Sequence, residues 1–243
     1  MKSEVVIITG SGKGIGRAIA EKCADNGMNV VVVDIDENLA INTADEISRR
    51  YNVKTLAIKT DVSNEDNVKS MVKRVLDEFG DIYALVNNAG IIRLGKPFEE
   101  VENEEWNTVF KVNLMGVVNC CKAVLPTLKN NKKGKIVNMS SLSAYTGGMA
   151  VTPAYAASKA AIMSVTRSIA KQVAHLKINV NSVAPGLIDT EGASICNYKP
   201  EQVPLNELGT PENIADAVYF LLSDSASHIT GTTLDVNGGM LMK

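Results

Sequence analysis

The sequence predicts an α/β fold: one doubly wound parallel β-sheet flanked by helices on both faces, as a three-layer sandwich. Three observations predict it. Short apolar segments alternate with amphipathic segments of helical length along almost the whole chain. A glycine-rich turn joins the first apolar segment to the first amphipathic one. No linker, repeat or change in composition divides the 243 residues, so we expect a single domain over 1–243.

The first βα unit contains the glycine-rich turn. Strand 4–9 leads directly into Gly10-Ser-Gly-Lys-Gly-Ile-Gly16, and a helix follows to about Asn26. Glycines in such a turn let the backbone approach a diphosphate, and the helix N-terminus attracts its negative charge. The next apolar strand, 29–34, ends in Asp34, about 20 residues past the glycines, where an acid suits the hydroxyls of an adenosine ribose. This unit predicts a nucleotide site.

The alternation continues to the end of the chain. Further strands are expected at about 54–59, 82–86, 135–139, 178–183 and 232–237. Further helices are expected at about 37–51, 65–79 with Ser63 as its N-cap, 104–128, around Tyr155, and 211–222. Between Asp189 and Gly209 the pattern fails, after the carboxyl end of a strand, which favours a substrate lid at about 189–209.

An acid/base pair stands in the second half of the chain. Tyr155 and Lys159 are four residues apart in a segment of helical composition, so both side chains project from one face. A free phenol has a pKa of about 10, and an adjacent cation lowers it by stabilising the phenolate. The pair Ser140-Ser141 closes the strand 135–139, and ligands bind at that end of open α/β sheets. We expect proton-transfer chemistry here.

Composition excludes several function classes. A formal net charge of −2, from 25 basic and 27 acidic residues mixed along the chain, argues against a nucleic-acid or membrane-surface protein and favours a small-molecule partner. No uninterrupted apolar run reaches membrane-spanning length, so we expect a soluble, cytoplasmic protein without a membrane partner.

The cysteines and histidines predict no metal site. Neither metal-ligand spacing nor a disulfide framework connects Cys23, Cys120, Cys121 and Cys196. They are interpreted as core thiols in a reducing compartment. The two histidines, His175 and His228, have no carboxylate cluster beside them, which argues against catalytic zinc.

Three motifs together resemble a known family. They are Thr9-Gly10-x-x-x-Gly14-x-Gly16, Asn87-Asn-Ala-Gly90 and Tyr155-x-x-x-Lys159. In their order and spacing the chain resembles the single-domain branch of the short-chain dehydrogenase/reductase family over essentially its whole length. The resemblance implies a Rossmann-type fold and reversible hydride transfer between NAD(H) and the carbinol or carbonyl carbon of a substrate.

The resemblance implies four catalytic roles. Tyr155 would be the general acid/base, and Lys159 would lower its pKa and bind the nicotinamide ribose. Ser141 would orient the substrate oxygen, although the spacing to Tyr155 leaves Ser140 and Ser143 open; Ser141 is favoured as the second serine of the strand-ending pair. Asn113 would position a water molecule, whereas its apolar neighbours alone leave a hydrogen-bonded core asparagine equally open.

The resemblance also implies a cofactor site. Its residues would be Gly10, Ser11, Lys13, Gly14, Ile15, Gly16, Asp34, Ile35, Asp61, Val62, Asn88, Ala89, Gly90, Tyr155, Lys159, Pro185, Gly186, Ile188 and Thr190. Lys13 matches a basic position of members that prefer NADPH, and Asp34 an acidic position of members that prefer NAD(H). NAD is favoured over NADP because the Asp34 carboxylate would stand where a 2′-phosphate must go, and Ile35 brings no compensating cation.

Three functions follow, in order of preference. The first is NAD-linked hydride transfer on a small secondary alcohol, sugar or ketone. The second is NADPH-dependent 3-oxoacyl-[acyl-carrier-protein] reduction, for which Lys129, Lys132 and Lys133 are a possible docking patch. The third is a non-catalytic, nucleotide-binding regulatory relative. The resemblance also implies a homotetramer or homodimer, with the apolar tail 240–242 in a subunit contact.

Overall fold

The computed structural model describes residues 3–148, 150–190 and 198–242. Its strands are β1 (Val5–Thr9), β2 (Asn29–Asp34), β3 (Thr55–Lys59), β4 (Ala84–Asn87), β5 (Gly134–Met139), β6 (Ile178–Pro185) and β7 (Thr233–Val236). Its α-helices are α1 (Gly14–Asp25), α2 (Glu37–Tyr51), α3 (Glu65–Phe79), α4 (Asn103–Val109), α5 (Gly116–Asn131), α6 (Ser143–Thr146), α7 (Pro153–Val173) and α8 (Pro211–Leu222).

The seven strands form one parallel sheet in the order β3-β2-β1-β4-β5-β6-β7. β1 pairs with β2 on one side and with β4 on the other, so the chain reverses its direction of travel across the sheet between them. In open α/β sheets the crevice outside the carboxyl ends at such a reversal is where ligands bind. The expected parallel, doubly wound sheet is confirmed.

Helices cover both faces of the sheet because alternate strand residues point to opposite sides. Ile8 of β1 belongs to a core cluster with α1, α2 and α8. Its neighbour Ile7 belongs to a second cluster with α3, α5 and α7. Two apolar layers on one central sheet confirm the predicted three-layer sandwich.

The N-cap of α3 is Asn64, and the expectation of Ser63 was wrong. The Asn64 side chain accepts hydrogen bonds from the backbone amides of Asp66 and Asn67. The backbone amide of Ser63 instead donates to Asp61 Oδ1 at 2.9 Å. The Asp61 carboxylate therefore closes a turn just before the helix, and the cap moves one residue later.

The long helix expected at 104–128 has three parts. Between α4 and α5 the backbone forms a π-helix, Phe110–Met115, in which Asn113 is buried. By length and composition alone the run Asn103–Asn131 could cross a membrane, a test that the core helices of soluble proteins also pass. Inside the protein, 44% of its most apolar window is buried. Widened π turns are frequent at functional sites, which directs attention to Asn113.

The ends of the segment predicted as a lid meet each other. Ile188 forms a parallel bridge with Gly209, and the amide of Asp189 donates to the Gly209 carbonyl at 2.8 Å. A 3₁₀ helix occupies Pro200–Gln202, and 191–197 lie outside the described residues. A closing motion of this segment stays a prediction.

Candidate active site

A cavity of about 650 Å³ opens at the carboxyl ends of the central strands. Its walls are largely apolar, and they include Ile91, Ile92, Leu142, Val151, Leu187 and Met240. Ser141, Tyr155 and Lys159 line the same cavity. The structure thus brings three of the four expected catalytic residues into one apolar-walled pocket, from α7 and from the residues just after β5.

Tyr155 and Lys159 lie one turn apart on α7. The Lys159 ammonium is 5.6 Å from the centre of the Tyr155 ring and donates to the Met139 carbonyl at 2.8 Å. Pro153 begins the helix at its first turn, where its missing amide costs no hydrogen bond. Burial lowers the pKa of Lys159 from 10.5 to about 8, because the charged form loses solvation.

Replacing Lys159 by Met should raise the free energy of unfolding near neutral pH by up to about 3 kcal/mol, the equivalent of lowering the pKa from 10.5 to about 8. The folded-state pKa of about 8 lies below the reference value of 10.5, so between those values the unfolded chain binds more protons. Wild-type stability therefore rises with pH across this window, and the cost of the buried charge is fully present below it. Urea unfolding at fixed protein concentration from pH 7 to 10 checks this: the advantage of the variant should shrink as the pH rises, and a pH-independent difference would contradict it.

The three candidate serines differ in what their hydroxyls contact. Ser140 is buried, and its hydroxyl donates to the Lys159 carbonyl at 2.9 Å. All three line the cavity, and Ser141 is the half-buried one. Ser143 is buried and donates its hydroxyl to Ser141 Oγ at 2.9 Å. This geometry favours Ser141 as the serine that faces a substrate.

Asn113 has a partner for each end of its amide. Its oxygen accepts from the Ile91 amide at 2.8 Å, and its nitrogen donates to the Ile91 carbonyl at 3.0 Å and to Ser158 Oγ at 3.2 Å. Ser158 Oγ in turn donates to the Tyr155 carbonyl at 2.7 Å. Asn113 therefore links the chain after β4 to α7, and a role in holding water stays a prediction.

The glycine turn is fastened to β4 by Asn88. The side-chain amide of Asn88 donates to the carbonyls of Thr9 and Gly10, at 3.0 and 2.8 Å. Gly10 has a φ of +62°, which disfavours other residues, and a Cβ at Gly16 would collide with the Gly10 carbonyl. A side chain at either position would collide with the surrounding chain or with Asn88, so only glycine lets the turn pack this closely. The turn leads directly into the N-terminus of α1, an arrangement that fits a diphosphate.

Asp34 ends β2 at the predicted position. Its Oδ2 accepts from the Gly12 amide at 2.9 Å, and its Oδ1 accepts from the Asp36 amide at 3.1 Å. The carboxylate is therefore held against the glycine turn. Ile35 beside it is 66% exposed, and Lys13 is the exposed residue that precedes α1.

Comparison with known proteins places the chain in a family. A family model described as enoyl-(acyl carrier protein) reductase matches residues 10–241. The chain is 37% identical to the 3-oxoacyl-[acyl-carrier-protein] reductase FabG of Aquifex aeolicus, covering 99% of this chain and 98% of that protein. It belongs to the short-chain dehydrogenase/reductase family.

Two further relatives agree. The FabG reductase of Vibrio cholerae is 38% identical, with 100% of this chain and 99% of that protein covered. A crystal structure of a 3-oxoacyl-[acyl-carrier protein] reductase with bound NAD from Brucella melitensis superposes with a TM-score of 0.92 at 33% identity, over 100% of this chain and 92% of the other. This short-chain dehydrogenase/reductase is an oxidoreductase with a nicotinamide cofactor that acts on CH–OH or carbonyl groups, which sets aside the non-catalytic alternative.

Most of the expected cofactor residues follow the carboxyl ends of the strands, as the family fold requires. Those that also line the cavity are Ile15, Asn88, Gly90, Tyr155, Lys159, Pro185, Gly186, Ile188 and Thr190. Two other expected cofactor residues have side chains that are buried in contacts within the protein. Ser11 is buried, donating to the Ile8 carbonyl and accepting from the Val33 amide. Val62 is buried and packs against Gly116, so both have mainly backbone atoms to offer a ligand.

Several cavity residues of this short-chain dehydrogenase/reductase were not predicted from its sequence. They include Arg93, Leu142, Leu187 and Met240, whereas Tyr198 lies in the segment predicted as a lid. Arg93 follows Asn87-Asn-Ala-Gly90 by three residues. Its position just after that motif could have indicated that it lies near the site. The others come from segments far apart in sequence, and no local pattern brings them together.

The described part of the chain shows neither a reactive cysteine nor a metal site. Cys23, Cys120 and Cys121 are buried and free. Burial raises the pKa of both Cys23 and Cys121 to about 12, so neither is a ready nucleophile. Cys196 lies outside the described residues. Within the described ranges no group of three or more His, Cys, Asp or Glu side chains could hold a metal ion.

Proposed function

We propose that this enzyme reduces the 3-oxo group of an acyl thioester to a 3-hydroxyl group, with NADH as reductant. The relatives named above favour this over the small alcohol or sugar that the sequence placed first. The observation that carries the proposal is the position of Tyr155, Lys159 and Ser141 on one side of an apolar-walled cavity of about 650 Å³. Such a cavity suits an acyl chain better than a polyol, whose hydroxyls need polar partners.

The chain supplies the proton and the electrostatic stabilisation. The bound nicotinamide supplies the hydride for the carbonyl carbon. Tyr155 donates its phenolic proton to the carbonyl oxygen, and Ser141 donates a second hydrogen bond to the same oxygen. The ammonium of Lys159, at 5.6 Å from the Tyr155 ring, favours the phenolate that this transfer leaves behind.

NADH rather than NADPH follows from the charge at the end of β2. The Asp34 carboxylate is held by two backbone amides, at 2.9 and 3.1 Å, and would repel a 2′-phosphate placed beside it. The solved relative from Brucella melitensis contains NAD, which agrees with this preference. Lys13 is the competing signal, and we give it less weight because it lies on the exposed surface.

The lysine run 129–133 does not border the cavity within one chain. Lys132 ends α5, and Lys133 precedes β5 and pairs with Glu4, with 2.6 Å between Nζ and Oε1. These residues lie at the amino-terminal edge of the sheet, opposite the cavity. The length of the strands therefore separates this lysine run from the cavity mouth of the same chain. A carrier bound at that mouth cannot contact the run.

Arg93 is the cation in a better position to meet a carrier. It is exposed, lines the cavity, and its carbonyl accepts from the Thr152 amide at 3.0 Å, which fixes its backbone. The nearby acid Glu105 pairs with Lys96 at 3.0 Å, and no salt bridge of Arg93 is found in the part of the chain that is described. The guanidinium is thus available to a phosphate.

Replacing Arg93 by Gln should raise the KM for acetoacetyl-CoA about fivefold and leave kcat within twofold, because an exposed ion pair contributes about 1 kcal/mol. The matched control substrate is the N-acetylcysteamine thioester of acetoacetate, which has the same reacting group and no phosphate. Its KM should stay within twofold. Equal changes in KM for both thioesters would contradict phosphate recognition by Arg93.

The oligomeric state and the location are also proposals, based on the family to which the chain belongs. We expect a cytoplasmic homotetramer or homodimer. Met240 lines the cavity of its own chain, whereas Met242 is 79% exposed, so the last described residue of the tail is the one available for a subunit contact. Light scattering that gives the mass of a monomer would overturn the expected assembly.

A further inference from the structure

We propose that Ser143 is a positioning residue that makes Ser141 an obligate hydrogen-bond donor; the inference rests on the carbonyl reduction proposed above. The Ser143 hydroxyl donates to Ser141 Oγ at 2.9 Å. The backbone amide of Ser143 donates to the same oxygen at 3.2 Å. Ser141 Oγ thus accepts two hydrogen bonds from one residue two positions later.

These two bonds determine what Ser141 can do for a substrate. A serine hydroxyl has one proton to donate and two lone pairs that accept. When both lone pairs are occupied, the proton is the remaining capacity of the group. The substrate carbonyl oxygen has lone pairs and no proton, and it gains negative charge during reduction, so it needs a donor. Ser143 selects the state of Ser141 that this reaction requires.

Accepting hydrogen bonds also strengthens Ser141 as a donor. In a chain of hydrogen bonds each bond polarises the next, most of all away from bulk water. Ser143 is 8% exposed, so its hydroxyl acts from a site that solvent scarcely reaches. The bond from Ser141 to a developing alkoxide should therefore be stronger with Ser143 present than without it.

The local fold holds the Ser143 side chain in place. Ser143 is the first residue of α6, and its carbonyl accepts from the Gly147 amide at 2.9 Å. The preceding residue, Leu142, donates its amide to the Pro185 carbonyl of β6 at 2.8 Å. A Cβ at Gly148 would come within 3.0 Å of Ser143 Cβ. This short helix is therefore anchored to the sheet and packed around Ser143.

Ser140 does not orient the Ser141 hydroxyl. Its hydroxyl donates to the Lys159 carbonyl at 2.9 Å, and it is 3% exposed. Ser140 thus supports the backbone of α7, and Ser143 is the serine that contacts Ser141. The three serines divide into a helix support, a substrate-facing donor and the residue that orients that donor.

The test compares Ser143→Ala with Ser143→Thr, which keeps the hydroxyl, in wild-type and Ser141→Ala backgrounds. We expect Ser143→Ala to lower kcat about tenfold, with the KM and the Kd for NADH within twofold of wild type. Ser143→Thr should keep at least half of wild-type kcat. In the Ser141→Ala background, Ser143→Ala should have no further effect, because the group that it orients is already gone.

Each rate is measured with NADH on acetoacetyl-CoA and on a simple cyclic ketone, which separates the two proposals. Activity on the ketone alone would reject the thioester substrate. The kcat ratios between the variants on the ketone would still test the role of Ser143. The role of Ser143 is refuted if Ser143→Ala keeps wild-type kcat, if threonine does not rescue it, or if the loss persists in the Ser141→Ala background. Thermal unfolding of every variant confirms that each is folded.

Discussion

Replacing Tyr155 by Phe should lower kcat by about a thousandfold or more, because the variant keeps the ring and loses the proton. The hydroxyl faces the cavity from α7, with the Lys159 ammonium 5.6 Å from the ring. Tyr198 also lines the cavity, but Tyr155 is the phenol that lies one helical turn from Lys159, so we do not expect Tyr198 to take its place. The reaction would then draw its proton from water.

The variant should still bind NADH with a Kd within threefold of wild type, since the glycine turn, Asn88 and Asp34 are unchanged. Stopped-flow NADH oxidation gives kcat, and nicotinamide fluorescence gives the Kd. Lys159→Arg serves as the companion variant: it keeps a cation near the phenol, and we expect partial activity. Residual kcat above a tenth of wild type in Tyr155→Phe would remove Tyr155 from the role of proton donor.

Replacing Asp34 by Asn should shift the ratio of NADH to NADPH affinity by about a hundredfold toward NADPH, which corresponds to about 2.7 kcal/mol. The amide is almost the same size as the carboxylate and can still accept from Gly12, which donates to Asp34 at 2.9 Å. The negative charge that repels a 2′-phosphate is gone, and the exposed Lys13 can then attract it.

The matched control is Asp36→Asn, which removes one negative charge two residues away. Asp36 caps α2 through its side chain, and asparagine is an equally good N-cap, so stability should be kept. Fluorescence titration of both variants with both cofactors gives the ratios. An equal shift in the control would show that net charge, rather than the carboxylate of Asp34, decides between the cofactors.

The sheet could be predicted from the sequence because its strands are nearly continuous apolar runs. A central parallel strand such as β2 is buried on both faces, and few other elements need that composition. The helix boundaries near Asn113 could not be predicted, since a π turn and an α turn share almost the same pattern of apolar residues. The cap at Asn64 was missed because serine and asparagine are both good N-caps, and the turn that Asp61 closes with the Ser63 amide, which places the cap one residue later, is not evident from composition.

Part of the candidate site could also be predicted from the sequence, and part could not. Tyr155, Lys159, Gly10 and Asp34 lie on regular elements or directly at their ends, so their spacing alone brings them to one edge of the sheet. The cavity walls come from segments such as 142–148 and 187–190, whose path depends on contacts like that of Leu142 with Pro185. The substrate depends on those walls, which is why the motifs alone favoured a small alcohol or sugar, whereas the proposal made with the cavity and the relatives is a thioester.

The position of the new hydrogen in the product tests the account most directly. The enzyme would be incubated with NADH deuterated at the reactive carbon and with either acetoacetyl-CoA or crotonyl-CoA, and the products analysed by mass spectrometry. We predict one deuterium at carbon 3 of 3-hydroxybutyryl-CoA from the first substrate and no reduction of the second. Saturated butyryl-CoA from crotonyl-CoA, or polyol oxidation faster than acetoacetyl-CoA reduction, would contradict the account.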